Sequence, residues 1–199
     1  DTSQFFLMVA ALGHDVGHEG VNNQYLIETA HELALSYNDR SPLENMHCSK
    51  LFQIMQDPSA NVFASVKKEQ YKEMRKGMIT AILHTDVTKH NDMVKEMSML
   101  YQMNSEAFDA LAPVEPITQS GASVQLVLNG LLHGADVGNP MKPWEICRQI
   151  AHLCLDEFFA QGDLEKAAGI PVQMLNDREK VNRPNSQIGF IEFVIAPMA

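Results

Sequence analysis

What this 199-residue chain has little of already limits what it does. Its three cysteines, Cys48, Cys147 and Cys154, are an odd number with no Cys-x-x-Cys spacing, so neither a disulfide framework nor a zinc ribbon is encoded. A reducing compartment, the cytoplasm, is the simplest expectation. The longest apolar run, Phe5 to Leu12, is about half of the ~20 residues that span a bilayer, and it reads as a buried helix. Asp1 stands where the basic region of a signal peptide belongs. Basic residues are outnumbered, 15 Lys plus Arg against 25 Asp plus Glu, for a formal charge of −10. No Lys/Arg block offers a footprint for a nucleic-acid backbone, so no nucleic-acid partner is expected. Small anions remain admissible where metal ions reverse the local field. Runs of alternating β-branched residues between turns are missing as well, as are internal repeats, low-complexity tracts and an interdomain linker.

What is present is a composition able to bury a core, with 45% hydrophobic residues, and a steady helical punctuation. Ser41-Pro42-Leu43-Glu44 reads as a capping box with proline at the first helical position, opening a helix through Met55 that Asp57-Pro58 stops. Tyr71, Met74, Met78, Ile79 and Ile82 predict a helix over 68–84. Ala112 to Pro116 is the clearest loop, followed by a helix over 120–133. Pro143 opens another helix with an apolar stripe of Cys147, Ile150, Ala151, Cys154 and Phe158, capped at Gly162, and a short helix over 163–169 follows. Residues 187–196 read as a final buried helix. The expectation is one all-α domain over 1–199.

Ligand-type residues are densest at His14-Asp15-Val16-Gly17-His18-Glu19-Gly20. On a helix His14 and His18 share a face with Asp15 on its flank, and such mixed donors suit zinc, with the carboxylate also able to reach magnesium or manganese. Gly17 and Gly20 equally allow a polar helix end. A second cluster runs from Leu132 to Pro140, where Asp136 emerges from an apolar stretch, either toward a metal or as an Asx-turn before Pro140.

Taken together, HDVGHEGVNNQ at 14–24, YNDRSPLENMH at 37–47, TDVTKH at 85–90, GADVGNP at 134–140, EFFAQGD at 157–163 and SQIGF at 186–190 resemble the catalytic domain of class I cyclic nucleotide phosphodiesterases. The resemblance implies an all-helical metallohydrolase of the His-Asp type. It would use zinc and a second divalent ion, Mg2+ or Mn2+, and hydrolyse the 3′ phosphoester of cAMP or cGMP to the 5′ monophosphate. Carried over by position, His14, Asp15 and Asp136 are implied zinc ligands, Asp15 also reaching the second metal. His18, Glu44 and Thr85 match positions that face metal-bound waters, although Glu44 also reads as a plain helix cap. In such chemistry two ions about 3.5–4 Å apart activate a water for in-line attack, and a histidine protonates the leaving 3′ oxygen. Gln187 and Phe190, three residues apart, put an amide beside an aromatic ring. The resemblance makes them the base-binding glutamine and the stacking residue, with Asn139 opposite; alone, Phe190 reads as a core aromatic.

Departures from the family pattern are local, Gly17 and Glu19 for a common Asp and Pro, and Gly138 for a Ser. The family's upstream His-Asn-x-x-His element, source of the general acid and a fourth zinc ligand, is not in the sequence. The expectation is a truncated catalytic domain, with regulatory domains outside this region. The alternatives are a nucleotide-binding fragment without turnover, and another His-Asp metallohydrolase that does not need Gln187 and Phe190.

Overall fold

A computed structural model describes residues 2–106 and 120–198. The loop expected at 112–116 lies outside them. The described residues form helices and no strand. We number the helices α1 (Thr2–Gly13), α2 (Asn23–Glu28), α3 (Glu32–Tyr37), α4 (Pro42–Ile54), α5 (Lys68–Leu83), α6 (His90–Met103), α7 (Gly121–Val137), α8 (Trp144–Ala168) and α9 (Arg183–Phe190). Short 3-10 turns occupy Val87–Lys89 and Asn139–Met141, and a π-helical turn, Ile191–Ile195, continues α9.

The chain divides into two compact units. The first comprises Asp1–Val16 and His47–Asp136. Its core joins Phe6 and Ala10 of α1, Leu51 and Phe52 of α4, Met74, Met78 and Ile82 of α5, and Leu128 and Leu132 of α7. The apolar run at 5–12 is therefore helical but buries only one face, leaving Met8 and Leu12 exposed. Helix α5 matches the periodic pattern read from the sequence, its buried residues Met74, Met78 and Ile82 lying four apart.

The second unit comprises Gly17–Met46 and Val137–Ala199. Val21, Leu26, Ala34, Leu43 and Met46 form one of its apolar clusters. Helix α8 differs from expectation. Gly162 does not end it; the helix continues to Ala168 and is capped by Gly169 in the left-handed conformation. A Cβ at Gly162 would lie 2.0 Å from the backbone oxygen of Asn176, so this glycine serves a close approach of the 170–176 segment. The segment over 163–169 is thus the end of α8. The inward stripe is Ala151, Leu155, Phe159 and Gly162, whereas Cys154 and Phe158 are exposed, one helical position from where the sequence put it. Helix α9 starts at Arg183 with Asn182 as its cap. The expected buried helix over 187–196 is corrected too: Ile188, Ile191 and Phe193 are exposed, and only Ile195 of the π turn is buried.

Candidate metal centre and base-reading residues

Within the first unit, three side chains converge. One donor atom each from His14, Asp15 and Asp136 lies within 4.8 Å of the others. The turn that follows α1 carries the first two, and the last turn of α7 brings Asp136 to His14 across 122 residues of sequence. The imidazole is oriented from behind. Its Nδ1 is 2.8 Å from the Ala11 carbonyl, to which it donates, and this turns Nε2 toward Asp136 Oδ1 at 3.2 Å and Asp15 Oδ2 at 3.4 Å. A histidine with Nδ1–H so engaged offers Nε2 as its ligand lone pair. The Asp136 carboxylate, then Asp15, raises the His14 pKa to about 10 against the opposing effect of burial. Nitrogen and carboxylate oxygens on one point are a donor set suited to a divalent ion, whose binding displaces the imidazole proton.

His47 was not assigned a role from the sequence. It is buried on α4, donates from Nδ1 to the Val16 carbonyl at 2.9 Å, and brings Nε2 to 3.7 Å from Asp15 Oδ1. The signal was a histidine on the apolar 43/47/51 stripe of α4. A second pair was missed as well. His90 Nδ1 and His133 Nε2 lie 2.9 Å apart, both rings are buried, and the two outer nitrogens have no hydrogen-bond partner among the described residues.

The expected helical face shared by His14 and His18 is corrected. Helix α1 ends at Gly13, and the chain turns through Gly17 at φ +77°, a conformation costly for residues with a Cβ. His18 is exposed and belongs to the second unit, its Nδ1 accepting the Gly20 N–H at 3.0 Å. Thr85 follows α5, and its hydroxyl donates to the Ile82 carbonyl at 2.7 Å. Glu44 stands in the first turn of α4, where its Oε2 accepts from Asn23 Nδ2 at 2.9 Å.

In the second unit, Gln187 lines a mainly apolar cavity of about 440 Å³ between α8 and α9, with Cys147, Ala151, Leu155 and Ile188. Phe190, the last residue of α9, and Asn139 are not in that lining. Asn139 Nδ2 donates to the Cys147 carbonyl at 3.0 Å, which leaves its buried Oδ1 as an acceptor with no partner among the described residues.

Comparison with known proteins identifies the family. The family model for 3′5′-cyclic nucleotide phosphodiesterase matches residues 1–199. The chain belongs to this family. It is 41% identical over 192 residues to the mouse high affinity cGMP-specific 3′,5′-cyclic phosphodiesterase 9A, covering 96% of this chain and 34% of that protein. It is 34% identical to a Drosophila melanogaster 3′,5′-cyclic-AMP phosphodiesterase, covering 96% of this chain and 18% of that protein. The chain thus spans about a third or less of these relatives. The phosphodiesterase domain of the RhoPDE fusion protein from the choanoflagellate Salpingoeca rosetta superposes with a TM-score of 0.89 at 30% identity, over 99% of this chain and 60% of that one. The family uses divalent metal, which His14, Asp15 and Asp136 fit by number and type of donor. No helix among the described residues is long and apolar enough to cross a membrane.

Proposed function

We propose that this chain is part of the catalytic domain of a cyclic nucleotide phosphodiesterase, hydrolysing the 3′ phosphoester of cAMP or cGMP to the 5′ monophosphate. The observation that carries this reading is the convergence of His14, Asp15 and Asp136 in a chain of this family. We assign the three as ligands of zinc, with Asp15 shared with Mg2+ or Mn2+. Divalent ions bound there would supply Lewis acidity toward the phosphoester and the attacking water. The residues do the rest. Ala11 holds the His14 ring in register through Nδ1, and His47 backs the Asp15 carboxylate. Glu44, Thr85 and His18 orient water. Gln187 reads the purine edge, Phe190 stacks on it and Asn139 presents an acceptor.

An anionic substrate meets a chain of charge −10, so the local positive field would come from ions bound at this cluster rather than from lysines. We place the protein in the cytoplasm, a reading supported by three cysteines, an odd number without Cys-x-x-Cys spacing, with regulatory domains outside this chain. Steady-state hydrolysis of cAMP and cGMP, with 5′ monophosphate measured as product, tests the proposal. Gln187→Ala is expected to raise KM about 10-fold for at least one nucleotide, the size of one lost ligand hydrogen bond. Unchanged constants for both would favour a different nucleotide metallohydrolase, and binding without product would favour a nucleotide-binding module.

A further inference from the structure

The pair Asn22-Asn23, inside the HDVGHEGVNNQ block at 14–24, has no part in the chemistry above. In the second unit each of these amides has a fixed orientation. Asn23 Oδ1 accepts the Leu43 N–H at 2.9 Å, one of the N-terminal amides of α4 that lack a helical acceptor. Its Nδ2 is thereby left facing Glu44 Oε2, to which it donates at 2.9 Å. The amide cannot flip without setting oxygen against carboxylate and N–H against N–H. Asn22 is held by Gln161 of α8. Its backbone N–H donates to Gln161 Oε1 at 2.8 Å, and its Oδ1 accepts from Gln161 Nε2 at 3.0 Å. Gln161 Nε2 also donates to Glu165 Oε1 at 2.7 Å.

Glu165 is fully buried on α8 and accepts from amides: Gln161, the Gln173 side chain at 2.8 Å and backbone at 3.0 Å, and Asn176 at 3.0 Å. A carboxylate in such a place is a costly way to fill space, since apolar residues of similar volume usually pack there as well or better. What the charge provides is a rigid acceptor that orders several amides at once, as satisfied buried networks do.

We propose that Glu165, Gln161 and Asn23 form a positioning chain that fixes the Glu44 carboxylate. Glu165 orders Gln161, Gln161 clamps the backbone and side chain of Asn22, and the next residue, Asn23, holds both the start of α4 and one oxygen of Glu44. The proposal rests on the reading of Glu44 as a water-orienting residue. None of the three touches substrate; they act through Glu44.

A double-mutant cycle tests it in the full-length protein, with kcat and KM measured for Asn23→Ala, Gln161→Met, Glu44→Ala and both doubles with Glu44→Ala. Each of Asn23→Ala and Gln161→Met is expected to lower kcat about 10-fold while KM stays within about 2-fold, the scale of lost support around a metal site. In the Glu44→Ala background either change should cost less than about 2-fold more, because a residue acting through Glu44 has nothing left to act on. Full, additive losses in that background overturn the positioning chain while leaving the role of Glu44 standing. If Glu44→Ala itself leaves kcat unchanged, the reading of Glu44 fails and the chain fails with it. Asn23→Asp guards against misfolding: it keeps the acceptor for Leu43 and replaces only the donor facing Glu44. It should lower kcat as Asn23→Ala does at an unchanged melting temperature, and wild-type kcat would count against the proposal.

Discussion

His14 shows how one side chain is prepared by its neighbours. The Ala11 carbonyl fixes a proton on Nδ1, and Asp136 and Asp15 then favour on Nε2 a second proton that a bound cation displaces. The buried pair His90–His133 behaves in the opposite sense. Burial lowers the pKa of both, and for His133 the neighbouring His90 and His84 lower it further while Asp136 works against them. An unfolded histidine titrates near 6.5, so below that pH the unfolded chain takes up protons that the folded pair resists. Stability contributed by the neutral pair is therefore fully present above about pH 6.5 and declines as pH falls toward the lowered folded values. The urea midpoint is expected to drop between about pH 7.5 and pH 5.5, and the drop should shrink when both rings are replaced, His90→Leu with His133→Leu, since removing both partners leaves no orphaned polar group. An identical pH dependence in that double variant would show that the pair contributes nothing to it.

At the scale of the element, Gly162 separates helix propensity from packing. Propensity alone predicts that Gly162→Ala inside α8 stabilises by ~1 kcal/mol. Packing predicts the reverse, because the new Cβ would meet the Asn176 backbone oxygen at 2.0 Å and a backbone cannot rotate away as a side chain can. Overpacking of this kind costs ~1–3 kcal/mol, so a lower melting temperature is expected, and a rise would mean that the 170–176 segment yields. The same residue marks a limit of sequence reading. A glycine after an apolar stripe looks like a cap, and only the distant Asn176 shows that it serves a contact. Helix α5 was legible because Met74, Met78 and Ile82 repeat at helical spacing and bury together. The grouping of His14, Asp15 and Asp136 was legible through the family resemblance of the blocks at 14–24 and 134–140, since spacing alone left Asp136 open between a metal and an Asx-turn. The turn that removes His18 from the His14 face was not, since Gly17 is compatible with either a helix or a left-handed turn. Nor was the Glu44 clamp, because the partner, Asn23, is fixed by a fold-dependent approach 21 residues away.

At the scale of the whole molecule, chemistry and charge point the same way. A chain of net charge −10 has little to attract a cyclic phosphate, yet its first unit gathers two carboxylates and an imidazole, and its second unit carries the polar residues assigned to the base. The chain belongs to the cyclic nucleotide phosphodiesterase family over residues 1–199, and the proposed reaction uses both sets of residues. The most direct test is cyclic nucleotide hydrolysis by the full-length protein after chelation and after re-addition of Zn2+ with Mg2+ or Mn2+, in wild type and Asp136→Ala, with bound metal quantified in both. The account predicts that chelation abolishes wild-type turnover, that the ions restore it, and that Asp136→Ala binds less metal and stays at least ~100-fold below wild type throughout. An Asp136→Ala protein that retains the metal and turns over substrate at the wild-type rate would contradict it.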